Sequence, residues 1–145
     1  MVQDLINGYV TSETHKGITT IEFFHPQSNS LPRRLLEDLA NEIHAAGADA
    51  DTKVIVLRSG GEKAFCAGAS FDELVAINNA DKGYEFFSGF ANVINAMRKC
   101  TKLIIGRIHG KCVGGGVGLA AAVDYGIGGE GGGGRLRELA VGIGS

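Results

Sequence analysis

At 145 residues, 44% of them apolar and 21% charged, the chain has the size and composition of one soluble domain with a real core, and is too short for a second full one. A net charge of −2, with Lys and Arg scattered among acids, supplies no basic field for a nucleic-acid backbone. No apolar stretch reaches bilayer-spanning length and the opening MVQDLINGYV lacks the features of a secretory signal, so a cytoplasmic location is expected, with neither nucleic acid nor membrane as partner.

Gly17 to Phe24 (GITTIEFF) is β-branched and aromatic with partial alternation, which predicts a strand, and Tyr9 to Glu13 is placed to pair with it. After the polar turn HPQSNS, Ser30 is expected to cap a helix whose second position is Pro32. Leu35, Leu36, Leu39 and Ile43 recur at helical spacing until Gly47 stops it. Lys53 to Leu57 (KVIVL) reads as a buried strand ended by the turn at Gly60 and Gly61. Phe71 to Ile77 suggests a short helix and Asp81 to Lys99 a longer one, with Phe86, Phe90, Val93, Ile94 and Met97 as its apolar stripe.

Leu103 to Ile108 is a further strand, leading through Gly114 to Gly116 into an Ala-rich helix over Val117 to Val123. Strands alternating with helices give an α/β class. The tract Gly126 to Gly134 is almost all glycine, so a regular strand there has little support from its own residues. It is either a flexible loop or a stretch in which glycines stand for other side chains, and an intact mass differing from that of the sequence would establish the second.

Cys66, Cys100 and Cys112 are odd in number without C-x-x-C spacing, which argues for reduced, structural thiols. His15, His25, His44 and His109 share no ligand spacing, so no metal is expected. Asp124 reads as a structural cap, and Asp72 and Glu73 as acids favouring a helix N-terminus.

Two segments carry chemistry. Lys63 to Phe71 (KAFCAGASF) brings the small residues Ala67, Gly68, Ala69 and Ser70 to a helix start, where a ligand can approach the main chain and an outward N–H is a fixed donor. Val113 to Gly118 opens a helix on glycines, so its free N–H groups face one point, suited to a phosphate or a developing oxyanion. A dinucleotide fingerprint fits poorly: Leu119 stands where the third glycine belongs, and the run lies late in the chain.

Taken together, GITTIEFFHPQSNSL, KVIVLRSGGEKAFCAGASF, LIIGRIHGKCVGGGVGLAAAVDY and RELAVGIG resemble the crotonase, or enoyl-CoA hydratase/isomerase, superfamily over nearly the whole chain. The resemblance implies a crotonase-like ββα spiral core, with residues 1–145 as the amino-terminal spiral domain and the family's carboxy-terminal helical region absent. It implies an acyl-CoA substrate, no cofactor beyond the coenzyme A of that substrate, and a homo-oligomer, trimeric or hexameric. The N–H groups of Ala69 and Gly115 would form an oxyanion hole. Ser28, Ser30 and Ala67 would line the coenzyme A channel, with Ser70, Phe71, Gly114 and Gly118 completing the substrate contacts. Relatives that hydrate use two glutamates; here Gly118 occupies the first place and Glu138 the second. One carboxylate suits a proton shuttle between two carbons, so isomerisation leads, hydration is the alternative, hydrolases and dehalogenases share the same hole, and a non-catalytic acyl-CoA-binding protein is the rival from another class.

Overall fold

The strand expected at Gly17 to Phe24 forms over Ile18–Phe24 (β2), with Ile21 and Phe23 fully buried and Glu22 on the opposite face. This computed structural model describes residues 4–129 and 136–139, the last four by their backbone. β1 (Tyr9–His15) runs antiparallel to β2. The two-residue loop between them has positive φ at both Lys16 and Gly17, 50° and 83°, which matches the right-handed twist of a hairpin.

Helix α1 (Arg33–Ala48) buries Leu35, Leu36, Leu39, Ala40, Ile43 and Ala46 against the sheet, as their spacing dictates. Its ends differ from the sequence reading. Pro32, at φ −71° and ψ 164°, is the residue before the first turn and offers no side-chain cap. Ser30 lies outside the helix, in a chain that is still extended. The helix also runs through Gly47 to Ala48, and a Cβ at Gly47 would lie 3.3 Å from Cys100 Sγ.

β3 (Val54–Ser59) pairs parallel to β2, β5 (Leu103–Arg107) parallel to β3, and β7 (Tyr125–Gly129) parallel to β5. β8 (Leu136–Leu139) closes the described edge antiparallel to β7, so the sheet order is β1-β2-β3-β5-β7-β8. β7 corrects the loop reading of the glycine tract at Gly126–Gly129. Its ladder bonds come from neighbours on both sides, which the segment's own side chains could not reveal. Positions 130 to 134 of that tract lie outside the described residues.

The long helix α3 (Ala80–Lys99) packs on α1 through Gly89, where a Cβ would come within 2.7 Å of Leu36 Cδ1. Gly83 on the same helix has no such constraint, since a Cβ there would meet Ile77 Cγ2 at an ordinary 3.7 Å. Gly83→Ala is therefore expected to raise stability by about 0.5–1 kcal/mol through helix propensity and a stiffer unfolded chain, read as a higher denaturant midpoint with unchanged slope.

Two short strands were not legible in the sequence. β4 (Ala64–Cys66) and β6 (Lys111–Cys112) form a separate two-stranded parallel sheet, with Cys66 opposite Cys112. Each strand runs straight into a loop: β4 into α2 (Phe71–Val75), β6 into α4 (Gly115–Ala121). That small sheet is what brings the two chemistry-bearing segments side by side.

Candidate active site

The turn before α1 is built on Asn29. It sits at φ 60°, a left-handed conformation that Asn tolerates, and Ser28 before it is at 57°. The buried Asn29 side chain accepts from His25 N (2.7 Å) and donates to the carbonyls of Gly60 and Ala64, both at 2.9 Å. Its own carbonyl accepts from Ala67 N at 3.3 Å. One side chain thus ties the turn to both ends of the β3–β4 connection. Sequence reasoning passed over Asn29 because its partners lie about thirty residues away, though an Asn in a polar turn before a helix is the signal that could have found it.

The turn then fixes the first loop. Leu31 bridges Ala69 in parallel fashion, and Leu31 N donates to Gly68 O at 2.8 Å. In a parallel bridge the central residue's neighbours face the partner, so Ala69 turns its own N–H to the other side. The second loop lies alongside: Val113 N donates to Cys66 O at 3.0 Å, and a Cβ at Gly68 would sit 3.6 Å from Gly115 N. Gly68 adopts φ +95°, which a side chain would strain.

Gly115 is the first residue of α4, so its N–H has no partner within the helix. Two neighbours hold it. Phe90 of α3 lies against its Cα, where a Cβ would be 2.8 Å from the ring. One residue on, a Cβ at Gly116 would collide with the Cys66 carbonyl oxygen, so α4 and the end of β4 approach as closely as backbones can. Among the described residues, the Ala69 and Gly115 N–H groups donate to no backbone acceptor.

The other expected site residues are placed unequally. Ser28 and Ala67 are half-buried on neighbouring stretches joined through Asn29, whereas Ser30 is 7% exposed and offers a ligand little surface. Ser70 is 6% exposed, and its hydroxyl is occupied in accepting from Glu73 N at 3.4 Å, capping α2. Phe71, by contrast, is 67% exposed, and Val113 and Val117 beside the second loop are 54% and 53% exposed. Gly114 faces open space at φ +55°.

At Gly118 the space where a side chain would begin is nearly taken: a Cβ there would lie 3.2 Å from Ile94 Cδ1. Glu138 is known by its backbone, in β8 opposite Ile127 of β7. Asp124 plays the structural part expected of it, accepting from Ile104 N at 2.7 Å and fixing the start of β5 beside the end of α4. Clefts of about 830 Å³ between α1 and α3, and of about 300 Å³ where α1, α2 and α3 meet, contain neither amide.

The Cys66 and Cys112 thiols are not poised as nucleophiles. Burial pushes the Cys66 thiol up to about 12 and raises Cys112 as well, so both stay protonated at neutral pH. Among the described residues no group of three or more His, Cys, Asp or Glu is arranged to hold a metal, and no helix is long and apolar enough to cross a membrane.

Burial also lowers His25 and His109 below the ordinary imidazole value, with Arg34 adding to the effect at the first, and Arg107 and Arg58 at the second. Both ring nitrogens of His109 are buried without a partner among the described residues. The folded protein thus holds fewer protons than the unfolded chain just below pH 6.5. Stability is expected to be full above that pH and to fall as acid is added through the lowered values. Melting temperatures from pH 7.5 to 5 read this directly, and His109→Gln should flatten the decline.

A family model described as Enoyl-CoA hydratase/isomerase matches residues 13–144. The chain is 34% identical over 122 residues to a (7aS)-7a-methyl-1,5-dioxo-2,3,5,6,7,7a-hexahydro-1H-indene-carboxyl-CoA hydrolase of Mycobacterium tuberculosis, covering 79% of this chain and 47% of that one. It is 33% identical over 96 residues to mitochondrial methylglutaconyl-CoA hydratase of Mus musculus, covering 66% and 30%. The crystal structure of an enoyl-CoA hydratase from Bacillus anthracis superposes with a TM-score of 0.77 at 28% identity, over 83% of this chain and 47% of that chain. The chain therefore spans about half the length of the first of these relatives, or less.

Proposed function

The chain belongs to the enoyl-CoA hydratase/isomerase family, and from that premise we propose that it activates an acyl-CoA thioester by holding the carbonyl oxygen between the N–H groups of Ala69 and Gly115. The observation that carries the reading is the meeting of the two loops, with the Gly68 Cβ position 3.6 Å from Gly115 N and, among the described residues, no backbone acceptor for either amide. Loss of a proton from the carbon next to a thioester leaves an enolate, whose oxygen gains charge in the transition state. Two fixed donors stabilise that charge by about 3–4 kcal/mol each, because they need no reorganisation when it develops.

A double-bond isomerase fits the acid–base inventory best. Glu138 takes a proton from C2 of a 3-enoyl-CoA, the electron pair is held as a dienolate by the amide pair, and the same carboxyl returns the proton to C4. A glycine at position 118 supports a single base, since it supplies no carboxylate there. Hydration or thioester hydrolysis is the second reading, favoured by the names of the similar proteins, which are a hydratase and a hydrolase. In that case a group from elsewhere in the protein holds the water. The family likeness also carries the proposal of a trimeric or hexameric assembly, which light scattering on the full-length protein tests.

The deciding experiment incubates full-length protein with a 3-enoyl-CoA and, separately, a 2-enoyl-CoA in deuterated water. Conversion of the first to a 2-enoyl-CoA supports isomerisation, and deuterium at C4 below the full solvent level marks direct return of the C2 proton by one carboxyl. Water addition to the second moves the assignment to hydration. Tight binding of both with neither exchange nor turnover leaves only a non-catalytic acyl-CoA-binding role.

A further inference from the structure

The 68–70 loop is gripped from one short stretch of chain on both sides of Ala69. Upstream, Leu31 N donates to Gly68 O at 2.8 Å. Downstream, both carboxylate oxygens of Glu73 accept from the backbone N–H of Arg33, at 2.9 and 3.2 Å. Arg33 is the first residue of α1, and its N–H is one that the helix leaves without an internal partner. The cap that the α1 sequence lacks is therefore delivered from α2, where a carboxylate is also favoured by the positive end of a sixteen-residue helix.

We propose that Glu73 is a positioning residue for the Ala69 amide, acting through its hydrogen bonds to the Arg33 N–H. The inference rests on the oxyanion-hole reading of Ala69 and goes beyond it by naming what sets the direction of that amide. Ser70 Oγ accepts from Glu73 N at 3.4 Å and Leu74 N donates to Ser70 O at 3.0 Å, so the first turn of α2 is a closed unit. Glu73 docks that unit on α1, and Ala69 is the residue immediately before it. Without the dock, the loop keeps its upstream anchor at Gly68 but can rotate about it. Substrate binding along the channel would survive; alignment of the donor with the charge developing in the transition state would not.

Four variants of the full-length protein test this. Glu73→Ala removes the acceptor and Glu73→Gln keeps an acceptor oxygen. Arg33→Pro removes the donor N–H at a helix position that proline favours, and Arg33→Ala keeps the N–H while deleting the guanidinium that pairs with Glu85 at 3.1 Å. The readouts are kcat and KM with a 3-enoyl-CoA, and the carbonyl stretching band of a bound 2-enoyl-CoA carrying ¹³C at the thioester carbon. Glu73→Ala and Arg33→Pro are expected to lower kcat by about 10²-fold with KM little changed, the scale of loss from a misplaced catalytic group. Both should move the carbonyl band back toward its solution frequency. Glu73→Gln should recover most of both signals, and Arg33→Ala should stand well above Arg33→Pro.

Folded Glu73→Ala and Arg33→Pro proteins with the wild-type band and kcat would overturn the positioning role. So would loss of cooperative unfolding in both, which would make Glu73 a stabilising cap alone. A wild-type protein that neither shifts the band nor turns over any acyl-CoA would sink the oxyanion-hole reading itself, and this inference with it.

Discussion

Glu138→Gln is expected to lower turnover by about 10²–10⁴-fold, the range that a positioned general acid–base group contributes, while leaving acyl-CoA affinity and melting temperature in place. The amide has the shape of the carboxylate but cannot carry a proton between two carbons. The expectation depends on the absence of a second acid. The resemblance implies that Gly118 stands in the place of the first glutamate of hydrating relatives, and Ile94 Cδ1 lies 3.2 Å from where a side chain at that position would begin. The measurement is kcat/KM together with deuterium exchange at C2 of a bound substrate. Unchanged rates in Glu138→Gln would make the residue a charge without a catalytic part, and would end the single-base mechanism without touching the fold.

Gly116→Ala is expected to be among the most damaging small substitutions in the chain, costing about 3 kcal/mol or more and lowering Tm by roughly 10 °C. The added methyl would overlap the Cys66 carbonyl oxygen, a backbone atom that cannot swing aside. That carbonyl already accepts from Val113 N at 3.0 Å, and Gly116 N donates to Val113 O at 2.9 Å, so relieving the clash would pull the two loops apart. Activity should fall further than stability alone predicts, because the same shift separates the Ala69 and Gly115 amides. Gly114→Ala is the informative contrast: it has open space around it and pays only for its φ of +55°, on the order of 1–3 kcal/mol. Equal melting temperatures for the two variants would contradict this account of the loop junction.

Periodicity alone located β2, α1, β3, α3 and β5 to within a few residues, because each buries a regular stripe that its own side chains record. Ile21 and Phe23 alternate along a strand, and Leu35, Leu36, Leu39 and Ile43 follow a helix. The small residues at Ala69 and Gly115 were legible for the same reason: a tight loop and a glycine-opened helix are local demands. Three features were not local and were missed or misread. β4 and β6, three and two residues long, carry no pattern of their own, yet their pairing sets the loops side by side. The glycines of β7 forecast a loop, but strands on either side supplied the ladder bonds. Ser30 looked like the cap of α1, while the cap came from Glu73, forty residues away, across a contact that forms only once α2 has docked. The sequence by itself determined which residues would form core, tight loops and breaks, since those follow from side-chain chemistry and short-range sterics. Tertiary structure decided how the two loops meet and what holds them there, since that depends on hydrogen bonds between segments whose separation along the chain leaves no trace in either one.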